Sequence, residues 1–172
     1  ANTTASNNTG IGDNALGANT TGSGNSALGA DALDANTTGD SNVAIGKSAL
    51  SSNTTAGLNV AIGAAAMESN TTGTQNTAVG ALAGDALTDA DYNVVMGYQA
   101  LTTDTTGSRS VAIGFESLKT QNFTGGTDSG NTAIGNRTGA LLTTGTDNTL
   151  IGSYAGDAIT TSVSNTAVGR SS

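Results

Sequence analysis

Cysteine, proline, histidine and tryptophan are absent from the 172-residue chain. Without cysteine there is no disulfide framework and no thiolate metal site. Without histidine or cysteine, Ser-His-Asp and Cys-His catalytic constellations are excluded. Aromatics make up 3% and charged residues 10%, so large apolar side chains are too few to fill a sphere. The net charge of −8 argues against nucleic acid and anionic membrane as partners. No apolar run approaches the roughly 20 residues of a membrane-spanning helix, so no membrane insertion is expected. Gly, Asn, Thr and Ala dominate what remains. Taken without order, such a composition belongs to disordered chains.

Order changes that reading. The motif Asn-x-Ala-(Ile/Val)-Gly starts at Asn8, Asn25, Asn42, Asn59, Asn76, Asn93, Ser110, Asn131, Asn148 and Asn165, and every step is seventeen residues except the twenty-one from Ser110 to Asn131. A fixed period of this size marks a repeat architecture. The chain is nine repeats and a truncated tenth, with part of an earlier one at Asn2-Thr3-Thr4. We read one repeat domain over residues 1–172, with a four-residue insertion within 115–130. The repeat is cut at both ends and no signal-peptide pattern occurs, so a piece of a longer fibre protein is expected.

Within the repeat, numbered from its Asn, position 5 is always Gly, including Gly46, Gly63 and Gly80. An unvarying Gly points to positive φ or close backbone approach. Position 4 is aliphatic or Met, as in Ile45, Ile62, Val79, Met96, Ile113, Ile134 and Ile151. Strand side chains alternate, so positions 2 and 4 share one face and position 3 takes the other. The larger residues of position 4, with the glycines behind them, are expected to form the core. The Ala column of position 3, Ala44, Ala61, Ala78, Ala112 and Ala133, is then left facing outward. Asn-Thr-Thr-Gly at positions 12–15 reads as a short extended stretch closed by a turn.

One correlation bears on packing. Position 9 is Leu or Met in most repeats but Gly at Gly84, Gly139 and Gly156, and in those three repeats position 12 becomes Leu87, Leu142 or Ile159. Losing a buried Leu costs about 2–5 kcal/mol, so the two positions are expected to fill one space. Seventeen residues cannot bury their own apolar face, whereas stacked coils can. The fold class that follows is all-β, a parallel β-solenoid of about ten coils, about 48 Å long at the strand spacing. Asn at position 1 is expected to bond amide to amide up the stack. A helical solenoid fails on the frequent Gly and on a repeat too short for a helix pair.

The stretches "NVAIG", "NTAVG" and "NTAIG" resemble the head repeats of trimeric autotransporter adhesins. The unit "NVVMGYQALTTDTTGSR", Asn93 to Arg109, is closer to the repeats of phage tail-fibre and bacterial fibre proteins that carry an endosialidase-type intramolecular chaperone. The resemblance covers essentially the whole chain. It implies a homotrimeric β-solenoid in an extracellular fibre, on a cell surface or a virion. The outward Ala column is the expected trimer-facing stripe, because a strand apolar on both faces is covered on both.

Two features stand off the repeat background. The insertion "QNFTGGTDSG", with Phe123, is expected to bulge as a loop, and loops on solenoids carry binding. All five aromatics fall between Tyr92 and Tyr154. Tyr98 and Phe115 share position 6 of consecutive repeats and should stack. With Phe123, Tyr154, Arg109, Lys119 and Arg137 they are candidate contacts to a surface glycan or a protein receptor. No cofactor, metal site or enzymatic activity is expected. Asp31 with Asp34, or Asp89 with Asp91, could be drawn as the carboxylate pair of a glycan-depolymerising tailspike; solvated corner residues are the better reading. Threonine columns at positions 13 and 14 raise an ice-binding surface as another alternative.

Overall fold

The computed structural model describes residues 4–172, so Asn2 and Thr3 of the partial first repeat lie outside the described residues. Ten strands of three residues each follow in order: β1 (Thr9–Ile11), β2 (Ser26–Leu28), β3 (Val43–Ile45), β4 (Val60–Ile62), β5 (Thr77–Val79), β6 (Val94–Met96), β7 (Val111–Ile113), β8 (Thr132–Ile134), β9 (Thr149–Ile151) and β10 (Thr166–Val168). They form one parallel sheet in sequence order. No helix occurs among the described residues. The protein is a parallel β-solenoid whose coils stack in register. Val43 pairs with Val60, Ala44 with Ala61 and Ile45 with Ile62, and the same triplets continue along the sheet. The nine strand-to-strand steps span about 43 Å.

Stacking holds the rest of each coil as well. The amide of Leu50 donates to the Ala66 carbonyl, that of Ala65 to Lys47 and that of Thr37 to Thr54. Many of the backbone groups that the turns leave open are satisfied by the neighbouring coil. Corners are made by positive φ. Gly63 has φ 138°, and a Cβ on it would lie 2.5 Å from the carbonyl carbon and oxygen of Gly80. Ordinary residues take the other corners: Ala65 (φ 55°), Met67 (φ 50°) and Gln75 (φ 58°) stand at positions 7, 9 and 17.

The interior corrects the expected facing. Ala44, Ala61, Ala78, Ala112 and Ala133 point inward and are fully buried. They are not an outward, trimer-facing stripe. Ile45, Met96, Ile134 and Ile151 are 37–41% exposed, and Ile62, Val79 and Ile113 are half-buried, so the position-4 column is not the core. The alternation was read correctly and its sign was reversed. The reason is volume. Position 9 already places one large side chain in each cross-section, as with fully buried Leu33, Leu50, Met67, Leu101 and Leu118, and position 8 adds the methyl of Ala49, Ala66 or Ala100. The group opposite them is small, Ala in most coils and Val95 opposite Leu101. Gly46, Gly63 and Gly80 are half-buried and belong to the packed corner rather than the side-chain core.

The exchange between positions 9 and 12 is explained by the same volume. Leu87 and Leu142 are fully buried, and a Cβ on Gly84 would lie 2.9 Å from Leu87 Cδ1. A second exchange was not legible in advance. Leu150 replaces the usual Ala of position 3, and its methyl carbons lie 2.8–2.9 Å from where Gly139 and Gly156 would carry a Cβ. Two consecutive glycines at position 9 make room for one leucine between them.

Two columns of buried asparagine complete the cross-section. At position 1, Asn25 Oδ1 accepts the backbone N–H of Asn42, and Asn42 Oδ1 accepts that of Asn59. At position 12, Asn36 donates to Asn19, Asn53 to Asn36 and Asn70 to Asn53. Within one coil both columns converge: Asn42 and Asn53 each donate to the Ala56 carbonyl, at 2.8 and 3.0 Å. Each amide therefore ties its own coil across and the next coil above it. Where Leu87 takes position 12 the second column stops, and Asn70 Oδ1 is left buried without a hydrogen-bond partner.

Candidate functional site

The outer face of the sheet carries an apolar column at position 4 along its whole length, beside a position-2 column that mixes Val with Thr and Ser. Position 4 supplies Ile11, Leu28, Ile45, Met96, Ile134, Ile151 and Val168 as exposed side chains. Val43, Val60 and Val111 stand beside them at position 2. Ten strands about 4.8 Å apart and three residues wide make a projected face of about 450 Å². Single exposed apolar residues need no explanation, but an apolar column that continues through every coil of this face is a candidate interaction surface.

The corner after the strand carries the aromatic and cationic residues. Tyr98 and Phe115 stack with centroids 5.9 Å apart and planes at 17°, as parallel coils require of a shared position. Lys119 and Arg137 both reach the Glu116 carboxylate. Its hydrogen bond to Lys119, with the charges of Lys119 and Arg137, holds Glu116 below the usual carboxylate range against the opposing effect of burial. Tyr154 follows one coil beyond Arg137, its amide bonded to Asn136. The structure thus brings five of the seven sequence candidates to one corner, over four coils. Arg109 is not among them. It lies at position 17, before the strand, 5.7 Å from the Tyr92 ring centroid and 3.2 Å from Asp128.

Phe123 is a correction. It is 6% exposed and is not displayed on a bulging loop. The chain of the insertion folds back before it protrudes. The Phe123 carbonyl accepts the hydroxyls of Thr105 and Thr106, and its amide donates to Asp104. Thr124, Gly125 and Gly126 beyond it are open to solvent, as are Asp128 and Gly130.

Asp104 was not singled out in the sequence, although it breaks the Asn column at position 12. It is fully buried. One carboxylate oxygen accepts the amides of Gly107 and Phe123, at 3.0 and 2.9 Å, and the other accepts Gln121 Nε2 at 2.6 Å. Behind Gln121 stands a line of amides that all donate the same way, Asn165 to Asn148, Asn148 to Asn131 and Asn131 to Gln121. Their aligned dipoles end on the charge. An asparagine at 104 would either set an N–H against the Gln121 amide or leave backbone N–H groups without an acceptor. Asp104→Asn should therefore lower stability by about 2 kcal/mol in chemical denaturation, although it removes a buried charge.

Three of the four acids drawn as pairs are bonded into the stack. Asp91 Oδ1 accepts both the amide and the hydroxyl of Thr74 and so ties two adjacent coils together. Asn14 donates to Asp31 Oδ1 and Asp34 Oδ2, while Asp34 Oδ1 is buried without a partner. Burial first, and the charge of Asp31 second, push Asp34 above the usual carboxylate range. A raised carboxyl favours the folded state when protonated and loses that contribution as pH rises through its folded pKa. Asp34→Asn should raise the melting temperature at neutral pH, with the gain shrinking as pH falls through the raised folded pKa and gone below about pH 4; equal gains at neutral and acidic pH would refute this account. Among the described residues no group of three or more acids is placed to hold a metal ion.

The threonine columns are structural in part. At position 13 the hydroxyls of Thr20, Thr37, Thr54, Thr71 and Thr88 each donate to the carbonyl of the next coil's threonine. Those donors are committed to the stack, which counts against an ice-binding array there. No protein-family model, curated protein or solved structure matches the chain.

Proposed function

We propose that the chain is a segment of an extracellular fibre, on a bacterial surface or a virion, assembled as a homotrimer through the outer face of the sheet. The segment spaces and presents a receptor-binding element or adds contacts of its own. One observation carries this reading: the apolar position-4 column runs unbroken on the outside of the sheet, where the expected Ala stripe is not. Three such faces turned to a common axis would cover one another. Each added coil extends the contact by about 50 Å², so affinity scales with array length, and many weak contacts act together. The resemblance of the repeats to fibre proteins supports the same assembly.

The mass of the 172-residue chain in solution tests this. Light scattering should give three chains per particle. Ile62→Asp with Ile113→Asp places charges mid-column and should yield monomers with an unchanged β spectrum. A parent chain that is monomeric at every concentration, or a trimer that survives both aspartates, overturns the assembly.

A further inference from the structure

A surface recess of about 210 Å³ lies between the coils of β8 and β9, lined by Arg137, Ala140, Leu141, Tyr154 and Asp157. Its origin is in the repeat pattern. Position 10, at the rim of the corner, is only Ala140 in the coil of β8. In the coil of β7 the same place holds Lys119, drawn to Glu116. In the coil of β6 it holds Thr102, bonded to Asp85. The wall is thus low here because position 10 carries only Ala140; the space at Gly139 and Gly156 is taken from inside by the Leu150 methyl groups.

The lining is amphipathic and its charges cancel. Ala140 is buried and forms the floor; Leu141 is exposed and Tyr154 half-buried at the sides. Arg137 and Asp157 supply one cation and one anion. Arg137 is not loose. Its Nε is held by Glu116 at 3.2 Å, which leaves its terminal nitrogens as donors at the recess. An aromatic side chain, a planar fork of donors and a carboxylate acceptor with no net charge suit a neutral ligand with one apolar face and several hydroxyls. A hexopyranose has that form: its C–H face packs on the aromatic ring, and vicinal hydroxyls donate to a carboxylate and accept from a guanidinium. A charged ligand would leave one of the two rim charges opposed.

We infer that this recess is a binding subsite for a neutral hexopyranose unit of a glycan. It deepens the adhesive part of the proposed function and rests on that reading for its purpose. The recess is built from one chain, so its occupancy is measured independently of assembly. The experiment is a titration of the 15N-labelled chain with methyl α-D-glucopyranoside, methyl β-D-galactopyranoside and methyl α-D-mannopyranoside. At least one should give saturable amide shifts at residues 137–157, with millimolar affinity. Ala140→Lys, which installs the side chain that Lys119 already carries at this repeat position, should abolish the shifts. Tyr154→Ala and Asp157→Asn should each weaken binding by about tenfold. Glu116→Gln, which frees Arg137 without touching the recess, should weaken it by less. No saturable shift with any of the three glycosides overturns the inference, as does unchanged binding by Ala140→Lys. A monomeric chain that binds would overturn the trimer and leave the subsite standing.

Discussion

Replacing Gly63 by alanine should destabilise the solenoid by about 4 kcal/mol or more, or prevent folding. Two penalties act together. The residue sits at φ 138°, where a side chain is strained whatever the space. Its Cβ would then meet the carbonyl of Gly80 at 2.5 Å. That obstacle is backbone, and the coil that carries it is fixed by its own register with the next. Neither coil can yield without opening the sheet between β4 and β5. The Gly63 amide donates to Ile45 on the other side, so the strain also reaches β3. Chemical denaturation of Gly63→Ala beside Ala64→Ser, a change at the exposed neighbouring position, measures the effect. A Gly63→Ala variant as stable as the parent would mean that coils slide past one another at this corner, and the account of position 5 would fail.

How much of this was legible in the sequence depends on whether a feature repeats. The period, the parallel stack, the corner glycine and the position-1 Asn column all recur in nearly every coil, so one sequence served as its own alignment. The stacking of Tyr98 on Phe115 followed from register alone. The facing of the strand did not. Hydrophobicity places Ile inside and Ala outside, but the width of a seventeen-residue coil is set by how many side chains meet at its centre. Leu50 and its equivalents had claimed that room. The signal was present in Leu150, whose size at position 3 coincides with glycines at position 9 on both sides. Features that occur once were the least legible. Phe123 sat in an insertion of unknown path, and Asp104 was one acid among thirteen. The recess beside Tyr154 depends on one small residue, Ala140, at a position that varies from coil to coil.

The packing account makes a sharper demand through Leu50 and Asn53. Leu50→Gly alone should cost about 3 kcal/mol: the cavity left by a buried leucine is only partly offset by relief of the left-handed backbone, which stands at φ 52°. Asn53→Leu alone should cost a similar amount. It crowds Leu50, breaks the bonds from Asn53 to Asn36 and the Ala56 carbonyl, and takes the acceptor from Asn70. Together the two changes recreate the coil of Gly84 and Leu87, in which the leucine methyl lies 2.9 Å from where a Cβ on the glycine would be. The double variant should therefore lose much less than the sum, with a coupling of about 2–3 kcal/mol. It should not recover fully. The position-12 column would be cut at a second place, leaving Asn36 Oδ1 in the state that Asn70 Oδ1 already occupies below Leu87, while Asn42 still serves the Ala56 carbonyl. Additive losses in the denaturation cycle would show that the two positions do not share one space, and the interior would have to be apportioned differently from Ala44 outward.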